Sequence, residues 1–479
     1  MTDPAPRAAA TPTLTERLDG LPVTRRHTRL LLGSGVGWTF DAMDVGLISF
    51  VIAQLGVVWG TTDGRLGWVA SAGFAGMAVG AALGGLLADR IGRRQVFALT
   101  LLVYGVATGA SALAGGVAVL MALRFVVGLG LGAELPVAST LVSEFAPPRI
   151  RGRAVVVLES FWAVGWILAA LVGYLVVPSG DDGWRWALAL GALPALYAVV
   201  VRRGLPESVR FLQSRGRHAE AERVVADFEG SRAVGHGGRT GAQVRDEAAT
   251  APDPADVTGA DVAAVDLPSS DVSPAEAPAT AGRTRLGALF APGLRRRTVA
   301  LWVVWFAVNF SYYGAFIWLP SLLAADGHTL VRSFEYTLII TLGQLPGYAV
   351  AAVLVERWGR RSTLATFLAG SALAAGLFAL ASGDAQIIGA GLLLSFFNLG
   401  AWGALYAVTP ELYPTRVRTT GAGWAAGIGR TASILAPLLV PYLRGAGGTG
   451  LLFTVFAAVF VVAALGALAL PERAGAALD

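Results

Sequence analysis

The sequence predicts an all-α membrane protein of twelve transmembrane helices in two pseudo-symmetric six-helix bundles. Three observations carry this. Of the 479 residues, 55% are hydrophobic and 14% charged, a composition too apolar for a soluble domain of this length. Apolar runs close to the ~20 residues a spanning helix needs recur along the chain. Two signatures also repeat at one offset. Gly85-x-x-x-Asp89-Arg90-x-Gly92-Arg93-Arg94 returns as Ala352-x-x-x-Glu356-Arg357-x-Gly359-Arg360-Arg361, and Glu144-x-x-Pro147-x-Arg149-x-Arg151 as Glu411-x-x-Pro414-x-Arg416-x-Arg418. Asp89 to Glu356 and Glu144 to Glu411 are each 267 positions, so one half is a duplicate of the other. Paired bundles of this kind build many secondary transporters.

The runs of the first half lie at 30–55, 67–88, 95–113, 117–144, 154–177 and 184–201. Those of the second lie at 298–324, 334–355, 362–381, 386–409, 419–443 and 451–470. Alternate connections carry the arginines: Arg90, Arg93 and Arg94; Arg149, Arg151 and Arg153; Arg357, Arg360 and Arg361; Arg416 and Arg418. The connections between are poor in them. Arginine-rich connections stay inside, which places both termini in the cytoplasm and the chain in the cell inner (plasma) membrane. The expected organisation is a cytoplasmic tail at 1–29, a bundle at 30–203, a cytoplasmic linker at 204–297, a second bundle at 298–470 and a tail at 471–479. The first residues are rich in Pro, Ala and Thr and have no apolar core before a cleavage site, unlike a signal peptide. In the linker, 207–228 reads as one amphipathic helix. From 229 to 282 the composition is Ala, Asp, Pro, Gly and Thr without periodicity, and is read as disordered.

Composition narrows the chemistry. There is no cysteine, hence no disulfide framework or thiolate metal site. No nucleophile–base or metal constellation is found, so neither an enzyme nor a bound cofactor is expected. The formal charge of +5 sits in short connections and follows membrane topology rather than nucleic-acid binding. The expected partners are a small-molecule substrate, protons and the lipid bilayer, with the chain a monomer.

Ionisable residues inside spans cost about 2.5–3.5 kcal/mol each at a helix centre and persist where they pair, face water or act. Asp41 and Asp44 are three apart on one face of the first run. Asp41, eleven residues past Leu30, lies ~16 Å along the axis and so near the midplane. Two carboxylates on one face repel, and a proton held there relieves the repulsion, which suits proton coupling. A structural ion pair or a cap is the alternative. Arg430, eleven past Thr419 among Gly421, Gly423, Gly427 and Gly429, is a planar clamp suited to a carboxylate ligand. It is equally suited to Asp41 or Asp44. Arg124 and Glu134 flank Gly128, Gly130 and Gly132 in the fourth run and serve a relay or neutralise a neighbouring charge. Glu159 belongs to the gate or relay, or pairs with an arginine connection.

Trp38, Trp162, Asn309, Tyr312, Tyr313, Gln344, Asn398, Trp402 and Tyr406 form an uncharged set for binding substrate. Asn309, Tyr312 and Tyr313 lie in the first span of the second half, and Asn398, Trp402 and Tyr406 in its fourth. Those spans are expected to line a central cavity, where aromatic walls suit a flat ring. Gly85, Asp89, Arg90, Gly92, Arg93, Arg94, Glu144, Arg149, Arg151, Glu356, Arg357, Arg360, Arg361, Glu411, Arg416 and Arg418 form a conformational gate. Ion pairs there can hold one state closed and break in the other.

The Gly85–Arg94 pattern resembles the signature loop of the major facilitator superfamily, with Ala352 replacing the leading glycine in the second copy. Pro206-Glu207-Ser208-Val209-Arg210 looks like the element after the sixth span of sugar-porter-like members, with Val209 in place of a proline. Phe40-Asp41-x-x-Asp44-Val45-Gly46, Gly132-Ala133-Glu134-x-Pro136 and Glu159-x-x-Trp162-x-x-Gly165-Trp166 are similar to the niacin permease group of metabolite:proton symporters, whose Gly-Gly-Glu here reads Gly132-Ala133-Glu134. The resemblance implies proton-driven uptake of nicotinate or a similar aromatic carboxylate by alternating access. Asp41 and Asp44 would then handle the proton and Arg430 the carboxylate. Proton-antiport export of drugs or metabolites, organic cation uptake with Asp41 and Asp44 as counter-charge, and a receptor that has lost transport remain alternatives.

Overall fold

The computed structural model describes residues 12–235, 239–250, 287–414 and 417–472. Span 1 is Arg25–Val58, span 2 Asp63–Ile91, span 3 Arg93–Ser111, span 4 Val117–Phe145 and span 5 Arg151–Leu175. Span 6 is the pair Gly183–Leu190 and Leu193–Gly204. Span 7 is Arg295–Ala325, span 8 the pair Leu330–Leu342 and Gln344–Arg357, span 9 Arg360–Ala379 and span 10 Asp384–Glu411. Arg418–Leu468 runs for 51 residues, ~76 Å at 1.5 Å per residue and far beyond one bilayer crossing. It breaks at Gly447 and Gly448, the latter at φ 71°, and so holds spans 11 and 12. Ten helical stretches are long and apolar enough to cross a membrane among the described residues. Dividing Arg418–Leu468 and adding the 19-residue span 3 gives twelve.

The structure departs from the expected boundaries where local chemistry overrides apolarity. Span 1 starts a full turn before its apolar run, because Thr24 donates its N–H to His27 Nδ1 at 3.1 Å and caps a polar first turn. Span 6 breaks at Gly191-Ala192, just before Pro194, which has no N–H to offer. Span 8 breaks at Gly343, where a side chain would press on the Leu392 carbonyl of span 10. The linker also differs. The single helix expected at 207–228 is two, Val209–Ser214 and His218–Glu229, separated at Gly216 with φ 70°. The stretch read as featureless from 229 carries a helix, Gly241–Thr250, preceded by bridges from Ala233 to Thr24 and from Thr240 to Arg232. Residues 251–286 lie outside the described residues.

Packing follows from glycine. A Cβ on Gly76, Gly80, Gly128 or Gly132 would overlap the carbonyls of Phe125, Leu129, Gly73 or Met77. The backbones of spans 2 and 4 therefore touch, as small residues permit in lipid. The halves meet through spans 2 and 11, 5 and 8, and 1 and 7. On the arginine-poor side, Arg444 binds Asp63 at 2.8 Å, Ser71 Oγ donates to the Ile434 carbonyl at 2.7 Å and Phe50 meets Phe334 at 5.2 Å. On the arginine-rich side, exposed Arg153 and Glu356 bridge the halves at 3.0 Å.

Candidate functional site

The acids of span 1 take different partners. Asp44 is buried and bound by Arg124 of span 4 at 2.8 Å and by the Thr108 hydroxyl of span 3 at 2.6 Å. Asp41 is also buried, and neither carboxyl oxygen takes a conventional donor. Its neighbours are the Glu134 carboxyl and the Tyr104 phenol, which are likewise buried and make no conventional hydrogen bond. Glu134 fits because position 37, one turn before Asp41, is glycine: a Cβ there would lie 2.8 Å from Glu134 Oε1. The face shared by Asp41 and Asp44 thus splits into a charge-matched pair, Asp44–Arg124, and a carboxyl–carboxyl pair, Asp41–Glu134. In the second pair one proton shared between the two groups removes the repulsion.

Arg430 makes no salt bridge among the described residues. It reaches the Met77 sulfur at 4.0 Å and lies near the Tyr313 phenol. Asp41 and Glu159 feel its charge without pairing to it. The pairing of Arg430 with Asp41 or Asp44 that the sequence left open is therefore not formed here. Nor does Glu159 pair with an arginine connection: it is buried in span 5 and faces toward Arg430, because the helix turns it inward, away from the Arg149–Arg153 cluster.

Aromatic rings from the two halves meet at their interface. Trp162 donates its indole N–H to the Tyr312 hydroxyl at 3.2 Å and lies at 5.1 Å from Trp38, the rings tilted by 43°. Tyr312 meets Trp402 at 5.3 Å and Trp166 at 5.6 Å, and Tyr406 closes on Trp305 at 5.2 Å. Gln344 and Asn398 are buried with no amide atom hydrogen-bonded. Asn309 is different: its amide donates to the Trp305 carbonyl at 2.8 Å and accepts from Ser433 at 3.0 Å. One end is spent within span 7 and the other ties span 7 to span 11, which makes it a brace rather than a free contact for ligand.

The repeated connections form ion-pair clusters. Arg93 binds Asp89 at 2.9 Å and approaches Glu144 at 3.8 Å, and Arg360 binds Glu411. Gly92 and Gly359 turn the chain at φ 105° and 89°, a conformation that favours glycine. Arg151 pairs with Asp19 at 2.9 Å, and Arg418 donates to the Tyr413 carbonyl at 3.3 Å. Arg90, Arg149 and Arg357 are exposed, and Arg361 contributes its backbone N–H. A Cβ at Gly85 would meet nothing, so Ala352 in the second copy sacrifices no contact. Arg416 lies outside the described residues.

Sequence reasoning missed the acids that close these loops. Glu207 accepts the N–H groups of Arg93 and Arg94 at 2.9 and 3.2 Å, and Glu472 those of Arg360 and Arg361 at 3.1 and 3.2 Å. The signal was present: a Pro-Glu dipeptide follows the last span of each half. Tyr104 and Thr108 were also missed, being uncharged. No group of three or more His, Asp or Glu is arranged to hold a metal among the described residues.

Known proteins supply the context. Residues 39–479 match the sugar (and other) transporter family. The niacin transporter NiaP of Acinetobacter baylyi is 44% identical over 94% of this chain and 95% of its own length. The putative niacin/nicotinamide transporter NiaP of Bacillus subtilis is 42% identical with the same coverage. At greater distance, the organic cation/carnitine transporter 7 of Arabidopsis thaliana is 31% identical over 89% of this chain and 87% of its own. The inward-open structure of the xylose transporter XylE from E. coli superposes with TM-score 0.70 at 18% identity, over 94% of this chain and 98% of that one. That likeness establishes the fold.

Proposed function

Because the chain belongs to the sugar (and other) transporter family, and is a multi-pass membrane transporter rather than an enzyme, we propose that it imports a small aromatic carboxylate, nicotinate first, together with protons. The carrying observation is Arg430. A guanidinium inside a membrane bundle without a salt-bridge partner among the described residues, beside Tyr313 and a cluster of aromatic rings, is suited to an anion. A flat carboxylate supplies the charge and a face for Trp162, Tyr312 and Trp402. The two relatives named for niacin agree with this.

The proton resides on the Asp41–Glu134 pair. Asp44 is already neutralised by Arg124 and holds the bundle together, a division the sequence reading did not make. Loading the pair with a proton removes a buried charge near Arg430. The guanidinium then turns wholly to the substrate, and the halves rock about the bound acid. The plasma membrane is the site of action, with both termini in the cytoplasm and the connections centred on Arg93 and Arg360 gating that side. The missing partner of Arg430 favours an anion over a cation as cargo.

Uptake of radiolabelled nicotinate into proteoliposomes tests this, with and without an inward proton gradient. Accumulation should follow the gradient. Arg430→Ala should cut uptake roughly 10- to 150-fold, the loss of a charge-assisted contact. Asp41→Asn should leave exchange but abolish the response to the gradient. A folded Arg430→Ala protein transporting at the original rate rejects the clamp.

A further inference from the structure

We infer that Gln344 and Asn398 read a ring nitrogen, so that the site takes pyridine-type carboxylates and rejects their carbocyclic counterparts. This rests on the aromatic-carboxylate reading above and adds what distinguishes one such acid from another. Both side chains are fully buried, and all four of their amide atoms lack a hydrogen bond. Buried amides are nearly always partnered, and leaving one unpaired is costly.

Their positions converge. Gly343 lets span 8 press against Leu392 and Ser395 of span 10, which brings the turns carrying Gln344 and Asn398 together. Gln344 lies near the Tyr312 phenol, whose oxygen accepts from Trp162, and makes no hydrogen bond to it. Asn398 sits one turn before Trp402 on the same helix face, and Trp402 packs on Tyr312 at 5.3 Å. Both amides therefore border the aromatic wall from the second half, while Arg430 faces it from span 11. An acid held by its carboxylate at Arg430 presents the far part of its ring to this polar pair. A pyridine nitrogen is an acceptor that an amide N–H satisfies. A benzene C–H satisfies neither amide and leaves both buried and unpaired, the condition under which polar sites discriminate most strongly.

Equilibrium binding of nicotinate and of benzoate to the purified full-length protein in detergent tests the inference. The wild-type protein should bind nicotinate at least about tenfold more tightly than benzoate. Gln344→Met and Asn398→Leu, made separately so that one folded variant suffices, should weaken nicotinate toward the benzoate value and leave benzoate within about twofold. Equal binding of the two acids to the wild type overturns the inference and leaves the carboxylate reading intact. So does equal weakening of both acids in folded variants, which marks the amides as packing. Binding of neither acid removes the carboxylate reading itself, and this inference with it.

Discussion

Asp44 and Arg124 are worth most to each other. Both are buried, and 2.8 Å apart. Asp44→Asn strands the guanidinium, and breaking a buried pair on one side costs about 3–5 kcal/mol. Melting in detergent should drop sharply for Asp44→Asn and recover when Arg124→Met is added. A double variant no more stable than the single one would show that Asp44 does more than balance Arg124. This chemistry was half legible. The insertion cost of a charge singled out Asp41, Asp44, Arg124, Glu134, Glu159 and Arg430 from sequence. Their partners were not legible, because a helix phase says which residues share a face and not which neighbouring helix that face meets. Asp41 and Asp44 share a face, yet span 4 answers one with Arg124 and the other with Glu134. Thr108 and Tyr104, which complete both sites, carry no charge and gave no signal. Asn309 gave a signal that local hydrogen bonding accounts for.

Helices in this bundle are set by what they lack. Spans 2 and 4 approach until carbonyls occupy the space of missing side chains. Gly132→Ala places a Cβ against the Met77 carbonyl and should destabilise by about 1–3 kcal/mol, the range of overpacking. Gly423→Ala, where nothing lies within 4 Å, should leave the melting temperature unchanged. Equal effects at both would mean that the seam is loose. The linker helices dock through Phe228, stacked on Phe145 at 4.8 Å, and through ion pairs. Arg17 forks onto Glu222 at 2.6 Å and Glu229 at 2.7 Å. Its hydrogen bond, the larger influence, holds Glu229 below its ordinary value of 4.5 against the opposing pull of burial. A lowered carboxyl value stabilises docking above 4.5 and loses that stabilisation as pH falls through the lowered value. Arg17 lies on a short N-terminal helix, Leu14–Asp19, so proteolysis between that helix and span 1 should quicken below pH 4.5, and Arg17→Ala should flatten the profile. A profile unaltered by Arg17→Ala would detach the docking from this pair. The sequence read this region as one amphipathic helix and then disorder; its apolar face, Val225 and Phe228 among it, is buried as that pattern implies, while the ion pairs of Arg17 join residues too far apart in sequence for any local pattern to announce.

Alternating access needs two seals of unequal strength, and here the arginine-poor seal is formed. Asp63–Arg444 is half-exposed, and such pairs contribute roughly 0–1 kcal/mol. Its removal by Asp63→Asn should thus raise opening by up to about fivefold. The chain has no cysteine, so Ser71→Cys, within that seal, reports opening by thiol labelling without background. Unchanged labelling when Asp63→Asn is added assigns what remains of the seal to the Phe50–Phe334 contact. The architecture itself was the most legible level: two signatures at one offset specify a duplicated bundle before any helix is drawn. The breaks in spans 6 and 8 were less so, since they answer to glycine and proline meeting a neighbour's backbone. One consequence concerns what the surroundings can grip. Spans 11 and 12 reverse direction over Gly447 and Gly448 alone, the connections at 59–62, 326–329 and 380–383 are four residues each, and those at 112–116 and 176–182 are five and seven. A protease, an antibody or a phage arriving on that face finds only short connections to hold. Whatever tags, cleaves or recruits this protein has to arrive from the opposite face, where the tail, the linker and both acid-closed loops are gathered.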